Sequence, residues 1–137
     1  MCKILVPVDG SEESEKAIEQ AVRLAKLEPG KLIFMYVVNI QQAAISVHLC
    51  QEIIDSLTEE GNRILGEIKE SLPEGLDCET VLDVGIPYEK IVDYAKDNAI
   101  DLIVMGSRGL SLVEGILMGS VSRNVLEQAP CSVLIAK

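Results

Sequence analysis

The chain has 137 residues, a formal charge of −10, 48% hydrophobic residues and only 3% aromatic ones. That length suits one domain, and so apolar a chain folds rather than stays disordered. The negative charge opposes nucleic acid and anionic membranes, and the few aromatics oppose base stacking, but a small phosphate ligand needs only a few local N–H groups.

Residues 3–8 (KILVPV) open the chain as a nearly continuous apolar run. Such runs belong to parallel strands covered on both faces. Residues 11–27 follow with Ala17, Ile18, Ala21, Leu24 and Ala25 on one helical stripe, behind Ser11 as N-cap. Pro29-Gly30 ends that helix on this reading. Glu12, Glu13 and Glu15 favour the helix dipole in its first turn. A second apolar strand spans 31–38, starting at Lys31. Residues 40–49 either extend the next helix or form a loop over the site. A helix over 50–71 carries Ile53, Ile54, Leu57, Ile64, Leu65 and Ile68. The strand over 78–84 alternates, which places it at a sheet edge. A helix over 87–98 begins with Pro87 in its first turn. Strand 101–105, helix 119–128 and strand 131–136 complete the chain.

The order βαβαβαβαβ predicts one open α/β domain, with a parallel sheet, helices on both faces and right-handed crossovers. Ligands in such sheets bind beyond the C-terminal ends of the strands. Asp9, Asn39, Gly85 and Gly106 occupy those positions. Cys2, Cys50, Cys78 and Cys131 form no C-x-x-C and read as free thiols, small buried hydrophobes in a reducing cytoplasm. No apolar stretch is long enough for a membrane span, and Met1-Cys2-Lys3 leads directly into a strand. A cytoplasmic location follows as the expectation. His48 has no cluster of ligands around it in sequence, so surface or helix-start placement is expected.

The chemistry concentrates at residues 105–123, MGSRGLSLVEGILMGSVSR. Gly106 and Gly109 follow a strand, and Gly119-Ser120 opens a helix. Glycine permits close approach of a ligand and positive φ. A helix N-terminus offers unpaired N–H groups and the positive end of a dipole. Ser120 and Ser122 add hydroxyls, and Arg108 and Arg123 add charge. These parts make an anion site, with phosphate as the anion. Taken singly, each glycine is better read as serving a turn; it is their combination between a strand and a helix start that points to a ligand. Neither G-x-x-x-x-G-K-[ST] nor G-x-G-x-x-G is present.

The spacing G-x-x-G-x9-G-S of Gly106, Gly109, Gly119 and Ser120 resembles the ATP-binding branch of the universal stress protein family. The resemblance runs over residues 1–137: the opening KILVPVDGS, the YVV of the second strand, Gly85-Ile86-Pro87 and the closing APCSVLI all look like that family. It implies a Rossmann-like sheet of order 3-2-1-4-5. It implies adenine near Pro7, Val8 and Val37, and Asp9 by the ribose and phosphates, where it could help place Mg²⁺ or Mn²⁺. Met105 and Gly106 would border the ribose. Arg108, Gly109, Gly119, Ser120, Val121 and Ser122 would surround the phosphates. Family members usually pair as homodimers through the last strand, here residues 132–136.

Asp9 has a second reading as a helix cap. A phosphoaspartate site is disfavoured: Ser11 breaks D-x-D, Asp83 lies inside the third strand, and Lys137 is the last residue. No general base stands out for ATP hydrolysis. The reading is therefore an ATP-binding regulator of stress response, not an enzyme, with slow ATPase or self-phosphorylation only as a side activity. The alternative is a dimeric interaction protein of the stress response that binds no nucleotide. Acid activation by adenylation is a third reading, for which 137 residues leave little room.

Overall fold

A computed structural model describes residues 2–43, 50–107 and 118–137. The elements in chain order are β1 (Cys2–Pro7), α1 (Glu12–Leu27), β2 (Gly30–Asn39), α2 (Ile40–Ala43), α3 (Cys50–Ser71), β3 (Asp77–Gly85), α4 (Pro87–Asp97), β4 (Leu102–Gly106), α5 (Ser120–Gln128) and β5 (Ser132–Ala136). The strands form one sheet of order β3-β2-β1-β4-β5, parallel at every pair. This is the expected open α/β sheet, with β3 at an edge.

The alternation along each strand sorts side chains to two cores. Ile4, Val6, Leu32, Phe34 and Val104 face one side, where Ala17 and Ala21 of α1 and Ile64, Leu65 and Ile68 of α3 cover them. Leu5, Ile33, Met35 and Ile103 face the other, beneath Ile91 and Ala95 of α4 and Val125 of α5. Burial on both faces explains the unbroken apolar runs. Each such side chain contributes about 1.5–3 kcal/mol when fully buried.

Ser11 caps α1 as expected. Its Oγ accepts from the Ser14 N–H at 3.2 Å, and the Ser14 hydroxyl donates back to the Ser11 carbonyl at 3.0 Å. Gly30 departs from expectation. It begins β2 rather than ending α1, which closes at Glu28 with an N–H bond to the Leu24 carbonyl of 3.2 Å. A Cβ on Gly30 would lie 2.6 Å from the Cys2 carbonyl oxygen, so strand approach requires this glycine. The four cysteines are free, and half-buried rather than fully buried. Burial is the first cause raising the Cys2 and Cys131 thiol pKa, which favours the unreactive thiol form. Residues 40–43 form the short helix α2, whose start is held by the Gln41 N–H donating to Asn39 Oδ1 at 2.9 Å. Residues 44–49, His48 among them, lie outside the described residues.

Candidate functional site at the parting of two strands

The central strands separate at the C-terminal end of the sheet. β1 pairs with β2 as far as Pro7↔Met35, and β4 pairs with β5 as far as Gly106↔Ala136. The ladder between β1 and β4 stops earlier, at Leu5↔Ile103. Chain order reverses at this same pair of strands: β1 leads by α1 to β2 on one side, and β4 leads by α5 to β5 on the other. The result is a crevice at a topological switch point, the usual ligand position in such sheets.

One wall is the end of β1. Pro7 is half-buried, and the Val8 N–H donates to the Met35 carbonyl at 2.9 Å. Val37 on β2 and Met105 on β4 pack with the α4–α5 core, whereas Val8 packs on the opposite side. Asp9 Oδ1 accepts from the Ser11 N–H at 3.0 Å. It therefore does hold the turn into α1, and Gly10 completes that turn at φ +84°. Asp9 also makes the Tyr36 phenol harder to ionise, after burial and Glu60 as the larger causes. Asn39 and Gly85 end the outer strands and have other work. Asn39 caps α2, and a Cβ on Gly85 would meet Lys90 Cε at 2.5 Å.

The other wall is the corner between β4 and α5. The Gly119 N–H donates to the Ser107 carbonyl at 2.7 Å, and the Ser107 N–H donates to the Ala136 carbonyl at 3.2 Å. The Ser122 hydroxyl donates to the Gly106 carbonyl at 2.7 Å. These bonds hold the N-terminus of α5 against the end of β4. Gly119 is its N-cap at φ −75° and ψ 168°, with no side-chain cap. The first intrahelical bond runs from the Arg123 N–H to the Gly119 carbonyl at 3.1 Å, so the N–H groups of Ser120, Val121 and Ser122 precede it. Ser120 and Arg123 are exposed, and Val121 is half-buried. Ser122 is buried, with its hydrogen committed to Gly106, so its side chain shapes the corner. Arg108 and Gly109 fall outside the described residues.

Gly106 differs from the sequence reading in its reason. Its φ is not positive; among the described residues only Gly10, Gly75 and Ala99 have that conformation. A Cβ on Gly106 would lie 2.7 Å from the backbone and Cβ of Glu13, so the glycine lets α1 press against β4. Glu13 lies in the first turn of α1 as expected, but its burial was not foreseen. It is only 8% exposed. Its signal was present, since 13, 17 and 21 continue the buried stripe of Ala17 and Ala21 by one helical step. Among the described residues no group of three or more His, Cys, Asp or Glu could hold a metal.

Sheet order, parted strands and a glycine corner at a helix N-terminus define an open doubly wound α/β protein of the nucleotide-fold type. Residues 1–137 match the universal stress protein family, and the chain belongs to that family. Universal stress protein YxiE of Bacillus subtilis is 36% identical over 145 residues, covering 98% of each chain. The structure of the hypothetical protein MJ0577 of Methanocaldococcus jannaschii superimposes with a TM-score of 0.90 at 34% identity, covering 99% of this chain and 95% of that one. The universal stress protein from Archaeoglobus fulgidus in complex with dAMP superimposes with a TM-score of 0.70 at 25% identity, covering 100% and 98%. No helix among the described residues is long and apolar enough to cross a membrane.

Proposed function

We propose that this protein is an ATP-binding regulator of stress response, cytoplasmic and homodimeric, that holds the nucleotide where β1 and β4 part. The early end of the β1–β4 ladder carries this reading, because it opens the sheet beside the α5 N-terminus. Adenine and ribose are assigned to the strand ends at Pro7, Val8, Val37 and Met105, where half-buried Pro7 and Val37 offer apolar surface without aromatic stacking and the buried Val8 and Met105 back the site. The phosphates fit the start of α5, where the N–H groups of Ser120, Val121 and Ser122 and the helix dipole favour an anion. Arg108, Gly109 and Arg123 belong to the same glycine-rich stretch. The A. fulgidus relative in complex with dAMP supports an adenine ligand. A divalent metal, Mg²⁺ or Mn²⁺, would arrive with the phosphates, with Asp9 helping to place it. The proposed role is binding rather than catalysis, because the sequence offers no evident general base for hydrolysis.

Isothermal titration with Mg-ATP tests this reading, after bound nucleotide has been ruled out by extraction. Gly119→Val suits the test because valine adopts φ −75° and ψ 168° without strain. Saturable binding by the native protein and at least about tenfold weaker binding by a folded Gly119→Val variant are expected. Absence of binding to nucleotide-free native protein would leave the dimeric interaction protein as the reading.

A further inference from the structure

We infer that Glu13 sets the charge selectivity of the phosphate corner, making tight polyphosphate binding depend on a divalent cation; this rests on the nucleotide reading above. Glu13 lies in the first turn of α1, 8% exposed, pressed against Gly106. Gly106 is itself joined to the first turn of α5 through the Ser122 hydroxyl at 2.7 Å. Gly106 thus links Glu13 to the helix start that offers its N–H groups to phosphate.

Its position can be bounded whichever way the side chain points. The Glu13 Cβ is 2.7 Å from where a Gly106 side chain would begin. With bonds near 1.5 Å, the carboxylate reaches no further than roughly 7 Å from that point. The start of α5 lies beyond Gly106, so the phosphates fall within on the order of 15 Å of the carboxylate, and at that range one unit charge changes affinity by about twofold for each phosphate charge. A carboxylate that is hydrogen-bonded or ion-paired still carries its negative charge, and glutamine in its place removes that charge. Glu12, its neighbour, is exposed, and solvent screens a charge there. Metal-free ATP carries the most charge into the corner, Mg-ATP carries less, and adenosine carries none. The penalty from Glu13 follows that order.

The experiment titrates metal-free ATP (in EDTA), Mg-ATP and adenosine into the native protein, Glu13→Gln and Glu12→Gln, each first shown by thermal melting to be folded. Glu13→Gln keeps the side-chain shape. It is expected to tighten metal-free ATP by about tenfold, Mg-ATP by about threefold and adenosine hardly at all. Glu12→Gln is expected to leave all three affinities near native. An equal change for all three ligands in Glu13→Gln, or an unchanged ratio of ATP to adenosine affinity, overturns the inference while leaving the nucleotide reading intact. Failure of the native protein to bind any of the three overturns both.

Discussion

The two edges of the sheet are closed by different chemistry. β3 places Asp77, Glu79 and Asp83 along one face and the exposed Thr80 on the other. Charged and polar side chains discourage a second strand from pairing there. Glu79 is further engaged by Lys31 at 2.9 Å and by the Tyr94 hydroxyl at 3.3 Å. β5 reads SVLIA and has no charge, and its Val133, Leu134 and Ile135 are half-buried. Coverage differs as well. α3, with 22 residues, packs on β3, whereas α5 beside β5 has nine and leaves Leu126 48% exposed. One edge is protected by its own side chains, and the other has the composition of a surface that expects another strand. An edge of that kind is the reason the proposed homodimer is assigned to β5.

Val133→Asp should break this contrast most severely. A like-charged pair across a two-fold contact at β5 should weaken the dimer by about 100-fold or more. Sedimentation should show a folded monomer, while Thr80→Asp on β3 keeps the native oligomeric state. If both variants stay dimeric, β5 is not the contact. The next effect concerns how α3 covers β3. A Cβ at Gly61 would meet Tyr36 Cδ1 at 2.5 Å and Leu82 Cδ1 at 2.9 Å. Gly61→Ala should therefore cost about 1–3 kcal/mol in urea unfolding, by overpacking. Gly66, five residues further on and exposed, has nothing within 4 Å of its would-be Cβ. Gly66→Ala should stabilise by about 0.5–1 kcal/mol in the same assay.

The smallest effect belongs to Glu79. Lys31 holds its carboxyl below the ordinary carboxylate value, so the folded state binds its proton less readily than the unfolded state. The stabilisation is therefore present above the unfolded carboxylate pKa and fades as pH falls through the folded one. Solvent screens this half-exposed pair, so the difference is modest. Urea midpoints of native protein and Glu79→Gln should differ at pH 6 and converge near pH 3. A constant gap across that range would assign the effect to packing instead.

Periodicity made the sheet legible. The apolar runs marked four strands, alternation marked the β3 edge, and 11–27, 50–71 and 87–98 read as helices to within a residue. The order of strands came with the family resemblance, since local pattern does not say which strand lies beside which. The corner of Gly106, Gly119 and Ser120 was found from spacing, but its mechanics were not. Ser122 reads as another hydroxyl donor until its bond to Gly106 is seen. Gly30 and Gly106 owe their identity to a neighbouring carbonyl and a neighbouring helix, both contacts between segments distant in sequence. Glu13 was hidden by its chemistry, because an acidic residue in a first helical turn has a sufficient local explanation.

The bond from the Gly119 N–H to the Ser107 carbonyl has a consequence for how this corner can be remodelled. It pins together the two points where the chain leaves β4 and enters α5. Closing a longer span costs only about 0.6 kcal/mol for each doubling of its length. Grafts and insertions between the two anchors should thus leave the sheet standing, giving engineers an interchangeable cassette on a fixed mount.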